Sequence, residues 1–390
     1  MNIVCLSTQN WDDPMWTNKQ HIMSRLSKTH RVIYVDRGVL GLRYFVLKKE
    51  DPFNFNFTLK YIFNLFEERN KNLTILTEKF NFPNSFGFKI WLLKNYLKKK
   101  KINDIILWIY QPEYEKYIGK LNEKLVVYDC VDEYSEFPAY SNPRKKKRII
   151  ETEKRLLEKA DLVITSSENL YERKKIYNKN TYLVHNVGDI EHFMKAMEKD
   201  LKTPEDIQKI KKPIIGFVGA IDRYKVDFEL LQVLAENHTE WSIVLIGPSG
   251  SADFSTKTSS LKRIRNIHML GVKDYKLLPN YIKEFNVCII PYNINEYTKN
   301  CFPIKFFEFL ASGKPVVVTA LPSLKEYANI VKYAYTYEDF IKKVQEAITG
   351  DTEIERQKRL EEAKKNSWHS RTEKIMELIE KRLIEKYGKV

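Results

Sequence analysis

Short continuous apolar runs recur along the chain, with helix-like patterns of apolar positions between them. In the first half the runs fall at 3–6, 32–35, 73–76, 105–110, 125–128, 162–165 and 182–184, and a helix is expected at 18–26. Four to six apolar residues without polar alternation fit a strand buried on both faces. Such strands separated by helices predict a parallel sheet covered on each side, with right-handed connections. From 189 to 212 the chain is charged and carries no such run, which reads as an interdomain connection. Runs resume at 214–218, 243–246, 267–270, 287–290 and 316–319. The fold class is α/β, with two doubly wound parallel-sheet domains. From 352 to 389 a charged tail carries the stripe Trp368, Ile375, Leu378, Ile379 and Leu383, too short for a sustained coiled coil.

One stretch, 284–323, stands out: EFNVCIIPYNINEYTKNCFPIKFFEFLASGKPVVVTALPS. It reads as strand, polar loop at 292–303, helix at 304–311, a stop at Ser312-Gly313-Lys314, and a second strand. Gly313 suits the left-handed residue that ends a helix. Lys305 and Glu308 lie three residues apart in the helix. On spacing alone this is an ordinary strand-helix-strand unit with two surface charges. The string nevertheless resembles the donor-binding segment of nucleotide-sugar glycosyltransferases of the GT-B fold, close to the retaining family 4, or group 1, enzymes of bacterial envelope polysaccharide synthesis. Pro303, Lys305, Glu308, Ala311, Gly313, Pro315, Val316 and Val317 match that family's pattern. Its first acidic position falls here on Asn300.

The resemblance covers most of the chain and is strongest from 216 to 322. It implies two Rossmann-like domains facing a cleft: 1–188 for the acceptor, 189–212 as linker, 213–365 for the nucleotide sugar. A final helix, 366–390, returns to the first domain. It implies that Glu308 receives the ribose hydroxyls, a task that suits a carboxylate because it accepts two hydrogen bonds. Asn300, Phe302, Pro303 and Lys305 border the donor on the same grounds.

Other candidates follow strand ends. The loop 7–21 contains Asp12, Asp13 and His21 but no Gly-x-Gly-x-x-Gly, which argues against a dehydrogenase. In the family it lies where acceptor and donor sugar meet; an ordinary packed loop fits too. Asp129, Asp132 and Glu133 crowd another strand end, as a source of a general base or as helix N-caps. Ser166-Ser167-Glu168 reads as a helix start. His185-Asn186-Val187-Gly188-Asp189 resembles the family's hinge. Gly219 permits close backbone approach. Arg223 and Lys225 stand before a helix near Asp227, and match the loop that meets the donor diphosphate. Val272 and Tyr275 border the base by the same resemblance.

Composition narrows the rest. A chain of 390 residues allows two ordinary domains, and 43% hydrophobic residues supply their cores. Cys5, Cys130, Cys288 and Cys301 have no metal-site spacing and read as reduced thiols of a cytoplasmic protein. No signal peptide and no membrane-spanning run is expected. With 66 basic against 51 acidic residues the formal charge is +15, which points to anionic partners. Lysines interleave with aromatics at 45–63 and 86–101, and 144–148 is basic, as on a surface resting at the inner face of an anionic membrane. Core aromatics beside solvated lysines give the same pattern. No nucleic-acid-binding signature is present.

The expected function is transfer of a sugar, UDP-linked, to a glycan or lipid-linked acceptor. Retention is expected, as is independence of metal or other cofactor, since no Asp-x-Asp occurs. Were the reaction inverting, Asp132 would be the first candidate base, with Asp12, Asp13 and His21 behind it. A sugar-nucleotide 2-epimerase of the same fold is the alternative. A non-catalytic lipid- or nucleic-acid-binding protein is another.

Overall fold

The computed structural model describes residues 1–37, 65–77, 86–250, 253 and 255–388. The aromatic and lysine-rich segment 45–63 lies outside the described residues. The first sheet contains β1 (Asn2–Leu6), β2 (Arg31–Val35), β3 (Phe66–Asn70), β4 (Leu73–Leu76), β5 (Ile105–Ile109), β6 (Glu123–Cys130), β7 (Leu162–Thr165) and β8 (Thr181–Leu183). Their order is β3-β4-β2-β1-β5-β6-β7-β8. The second sheet contains β9 (Ile214–Val218), β10 (Ser242–Ile246), β11 (Ile267–Gly271), β12 (Val287–Ile290), β13 (Val316–Thr319) and β14 (Lys332–Ala334), in the order β11-β10-β9-β12-β13-β14. Both are doubly wound: the order reverses between β1 and β5 in the first sheet and between β9 and β12 in the second.

Two strands depart from the expected pattern. β3 pairs antiparallel with β4, so the first sheet is not purely parallel. Its sequence, Phe-Glu-Glu-Arg-Asn, is almost wholly exposed and has no apolar run to reveal it. Asn70 closes the hairpin by accepting the N–H groups of Asn72 and Leu73, each at 2.9 Å. β14 is a three-residue edge strand and equally silent in sequence.

The longer helices are α1 (Asn18–Leu26), α2 (Phe86–Lys99), α3 (Pro143–Lys159), α4 (Glu168–Lys174), α5 (Phe228–Asn237), α6 (Ile304–Ala311), α7 (Tyr337–Gly350), α8 (Glu353–Lys365) and α9 (Trp368–Tyr387). α9 leaves the second domain and buries Trp368, Ile375, Ile379 and Leu383 in the first domain's core, beside Ile22, Met23 and Leu26 of α1. Its Arg371, fully buried, donates to the carbonyls of Val184 and His185 and, at 3.2 Å, to Asp129 on β6. The helix thus ties the end of the first sheet to the connection between the domains.

On α2, Ile90 and Leu93 are buried while Phe88 and Trp91 are exposed. Asn142 caps the basic α3. All four cysteines are buried and free. Among the described residues no helix is long and apolar enough to cross a membrane.

Candidate active site

The loop between β12 and α6 forms much of the seam between the domains. Its backbone carbonyls accept from first-domain side chains: Asn300 from Ser167 (2.7 Å), Lys299 from Asn169 (2.8 Å) and Phe302 from Asn186 (2.9 Å). Ser167 also caps α4 through the Leu170 N–H, so one hydroxyl starts a helix and holds the opposite domain. Pro303 is the residue before α6, and Gly313, at φ +72°, ends that helix through Ser312. Gly188 lies so close to α6 that a β-carbon there would stand 2.9 Å from the Glu308 nitrogen. Position 188 therefore needs glycine to let the helix in.

Glu308 is wholly buried on α6. Its Oε2 accepts from Lys305 Nζ at 2.5 Å, while Oε1 is buried without a hydrogen-bond partner. Burial raises its pKa above the usual carboxylate value; Lys305 opposes the shift and Asp189 adds to it. Tyr275 completes the surroundings. Its hydroxyl lies 3.5 Å from both His21 Nε2 and Asp189 Oδ2, and His192 stacks on its ring at 4.8 Å. Asp189, read from sequence as linker, thus belongs to the site, where Arg25 also reaches it at 3.5 Å.

A second group surrounds Asp132. Tyr297, from the other domain, donates to its Oδ1 at 2.8 Å. The Tyr297 ring packs 5.0 Å from Tyr224 and 5.1 Å from Phe137, so aromatics of both domains line this part of the cleft. Lys225 Nζ lies 4.9 Å from the Tyr292 ring centroid. Burial raises the Asp132 carboxyl, against the pull of Lys19 and Lys225.

The remaining candidates separate. Arg223 is exposed, its guanidinium 5.8 Å from the Phe228 ring centroid and its N–H bonded to Thr256. Gly219 bonds to the Ile246 carbonyl at 2.9 Å. Val272 is exposed. Phe302 is a core residue, within 6.2 Å of Phe306 and Tyr327. The side chain of Asn300 spends its amide on the Glu296 carbonyl at 2.6 Å and leaves Oδ1 buried and unpartnered. His21 is buried, stacked on Trp368 at 4.8 Å. Burial, with Arg25, Lys305 and His192, holds its pKa well below the usual histidine value, so it is neutral near pH 7. Asp12 lies apart from this group, half-exposed and paired with Arg69 at 2.6 Å.

N-capping does not account for the three acids near β6. Asp129 pairs with Arg371, Asp132 with Tyr297, and Glu133 with Lys174 at 3.0 Å. Among the described residues no set of three or more His, Cys, Asp or Glu side chains could hold a metal ion.

Residues 197–367 match the family described as glycosyl transferases group 1. TuaH of Bacillus subtilis (strain 168), named provisionally as a teichuronic acid biosynthesis glycosyltransferase, is 29% identical over 239 residues. That match covers 60% of this chain and 60% of TuaH. HepE of Anabaena, solved with UDP and glucose, superposes with TM-score 0.64 at 14% identity, covering 97% of this chain and 99% of that one. Sucrose-phosphate synthase of Thermosynechococcus elongatus gives 0.67 at 16% identity, covering 97% and 98%. At such identities the structural likeness is one of fold, and it extends over both domains. Residues 197–367 are thus similar to the group 1 glycosyl transferases, and the two domains together have the GT-B fold.

Proposed function

We propose that this protein is an enzyme that transfers a sugar from a UDP-linked donor to a glycan or lipid-linked acceptor in cell-envelope polysaccharide synthesis. One observation carries the reading. Glu308 is fully buried, one oxygen held by Lys305 and the other left without a donor. An orphaned buried acceptor is costly and implies a missing hydroxyl or N–H. A ribose diol supplies such donors. Lys305 holds the carboxylate turned and opposes the rise in its pKa, which favours the accepting form.

Arg223, Lys225 and Lys305 meet the diphosphate charge in this reading, so no metal is required, and a retaining reaction needs no strong base. If the reaction inverts, Asp132 is the base. The provisional role of TuaH supports the envelope assignment, and the UDP and glucose bound by HepE support the donor class. Exposed Phe88 and Trp91 beside the lysines of α2 support docking on the inner face of an anionic membrane. Vesicle co-sedimentation that high salt fails to reverse would remove the electrostatic part of that docking.

The test is Glu308→Gln. Glutamine keeps the shape but replaces one acceptor by a donor. Charge-assisted hydrogen bonds contribute roughly 1.5–3 kcal/mol, so UDP affinity should fall about ten- to a hundredfold. Wild-type affinity in calorimetry would sink the assignment.

A further inference from the structure

Lys19 sits in the first turn of α1, at the crevice where the strand order of the first sheet reverses. Ligands of doubly wound sheets gather at such crevices. The residue is 6% exposed. Its ammonium lies 5.2 Å from the ring centroid of Tyr110, at the end of β5. Among the described residues no hydrogen bond or ion pair reaches it. Two carboxylates, Asp129 and Asp132, and the Cys5 thiol face it. Asp129 Oδ1 is already taken by Arg371, and Asp132 Oδ1 by Tyr297. A buried ammonium that makes no hydrogen bond is costly even with carboxylates nearby, so the arrangement suits a further acceptor.

The second domain repeats the device. Lys225 follows β9, and its ammonium stands 4.9 Å from the ring centroid of Tyr292, which follows β12. In each sheet a lysine after the central strand stands over a tyrosine from the strand across the crevice. Tyr297 of the second domain reaches Asp132 of the first at 2.8 Å, and both lysines act on that carboxyl, so the two crevices meet at Asp132. Asp132 faces both, and Asp129 also faces Lys19; among the described residues no carboxylate makes a hydrogen bond or ion pair with either ammonium. A tetrahedral phosphate can accept from two ammonium groups at once.

We propose that Lys19 binds the distal phosphate of a nucleoside-diphosphate donor from the first domain, opposite Lys225. This rests on the donor reading above and adds a contact from the acceptor-side domain. It makes donor binding and cleft closure one event, because the two cations sit on different domains.

The experiment is calorimetry on the full chain with UMP, UDP, GMP and GDP. Wild type should bind one diphosphate more tightly than its monophosphate. Lys19→Met should lose at least tenfold of that diphosphate affinity and leave the monophosphate unchanged. Lys19→Arg should retain most of it. Without ligand, Lys19→Met should melt at the wild-type temperature or above, because an unpartnered buried charge is gone. Lys19→Gln repeats the series if the methionine variant does not fold. Wild-type diphosphate affinity in the variant overturns the role of Lys19 and leaves the donor reading standing. Equal loss for the monophosphate overturns the assignment to the distal phosphate. No binding of any of the four nucleotides to wild type overturns the donor reading and this proposal together.

Discussion

At the crevice of the first sheet Lys19 stands over Tyr110; at that of the second Lys225 stands over Tyr292. One strand further along, the two domains diverge. The end of β13 carries Thr319, whose hydroxyl donates to the Tyr292 carbonyl at 2.8 Å. That polar group is satisfied within its own domain. The corresponding β6 carries Asp129, fully buried, whose partner Arg371 arrives from α9, 242 residues later in the chain. Even then Asp129 Oδ2, Tyr110 OH and Trp108 Nε1 lack partners. A half-satisfied buried network weakens a core unless something fixes it. The second domain is therefore self-sufficient at this point, while the first depends on the returning helix. What the first domain gains is a mechanical link: the same guanidinium holds the carbonyls of Val184 and His185, just before the connection to the second domain.

The largest effect should come from breaking that link. Arg371→Met removes the only cation bonded to Asp129 among the described residues and strands a buried carboxylate. Breaking a buried pair from one side costs about 3–5 kcal/mol. Thr319→Val, its counterpart, loses one neutral hydrogen bond, worth about 1 kcal/mol. Urea midpoints of the two variants measure the difference. Similar midpoints would mean that the two crevices are built alike after all.

A second contrast concerns the neighbouring strands β2 and β10. β10 is followed by Gly247, which cannot titrate, whereas β2 is followed by the buried Asp36. Burial pushes Asp36 up to about 7, opposed by the Trp11 N–H and Thr77 and aided by Asp12 and Asp13. Its folded pKa is raised, so its favourable contribution is complete below about pH 4 and is lost as pH rises through 7. A shift from 3.8 to about 7 sets a ceiling of about 4 kcal/mol, at roughly 1.4 kcal/mol per unit. Asp36→Asn keeps an acceptor for Trp11 and should remove this pH dependence. The stability gap between variant and wild type should then widen from pH 5 to pH 8.5. A constant gap would clear Asp36 of any role.

What could be read from sequence follows from where each signal resides. Buried parallel strands announce themselves, because both faces must be apolar; β9, β12 and β13 begin and end within a residue or so of the runs that predict them. β3 is exposed on both faces and leaves no such trace, and one consequence is chemical. Arg69, the partner of Asp12, lies on that unseen strand, so Asp12 appeared available when it is engaged elsewhere. Glu308 and Lys305 were legible because they share one helix and one local pattern. Asp129, Asp132 and Glu133 read as a single acidic cluster, yet each faces a different partner from a distant segment. Asp189 looked like linker because its partners, Arg25 and His21, lie more than 160 residues earlier in the chain. Lys19 and Tyr297 carry no local signal; the groups they meet lie in distant segments, for Tyr297 across the cleft.

The smallest effect expected is at Tyr297, which joins the two crevices directly. Its hydroxyl donates across the cleft to Asp132 Oδ1, while its ring packs between Tyr224 and Phe137. Tyr297→Phe keeps the ring packing and removes one donor. A hydrogen bond to a charged group contributes at most about 1.5–3 kcal/mol, and this one is only part-buried, so about 1 kcal/mol is the expected cost. Stability alone would not separate this bond from ordinary packing. A cycle with Asp132→Asn does. If Asp132 and Tyr297 act as one unit, the double variant should fall short of the sum of the singles by at least about 0.5 kcal/mol. Strict additivity would mean that the bond does not hold the domains together. The closed crevice would then depend on the backbone contacts of residues 299–302, and Asp132 would face the cleft without a fixed partner.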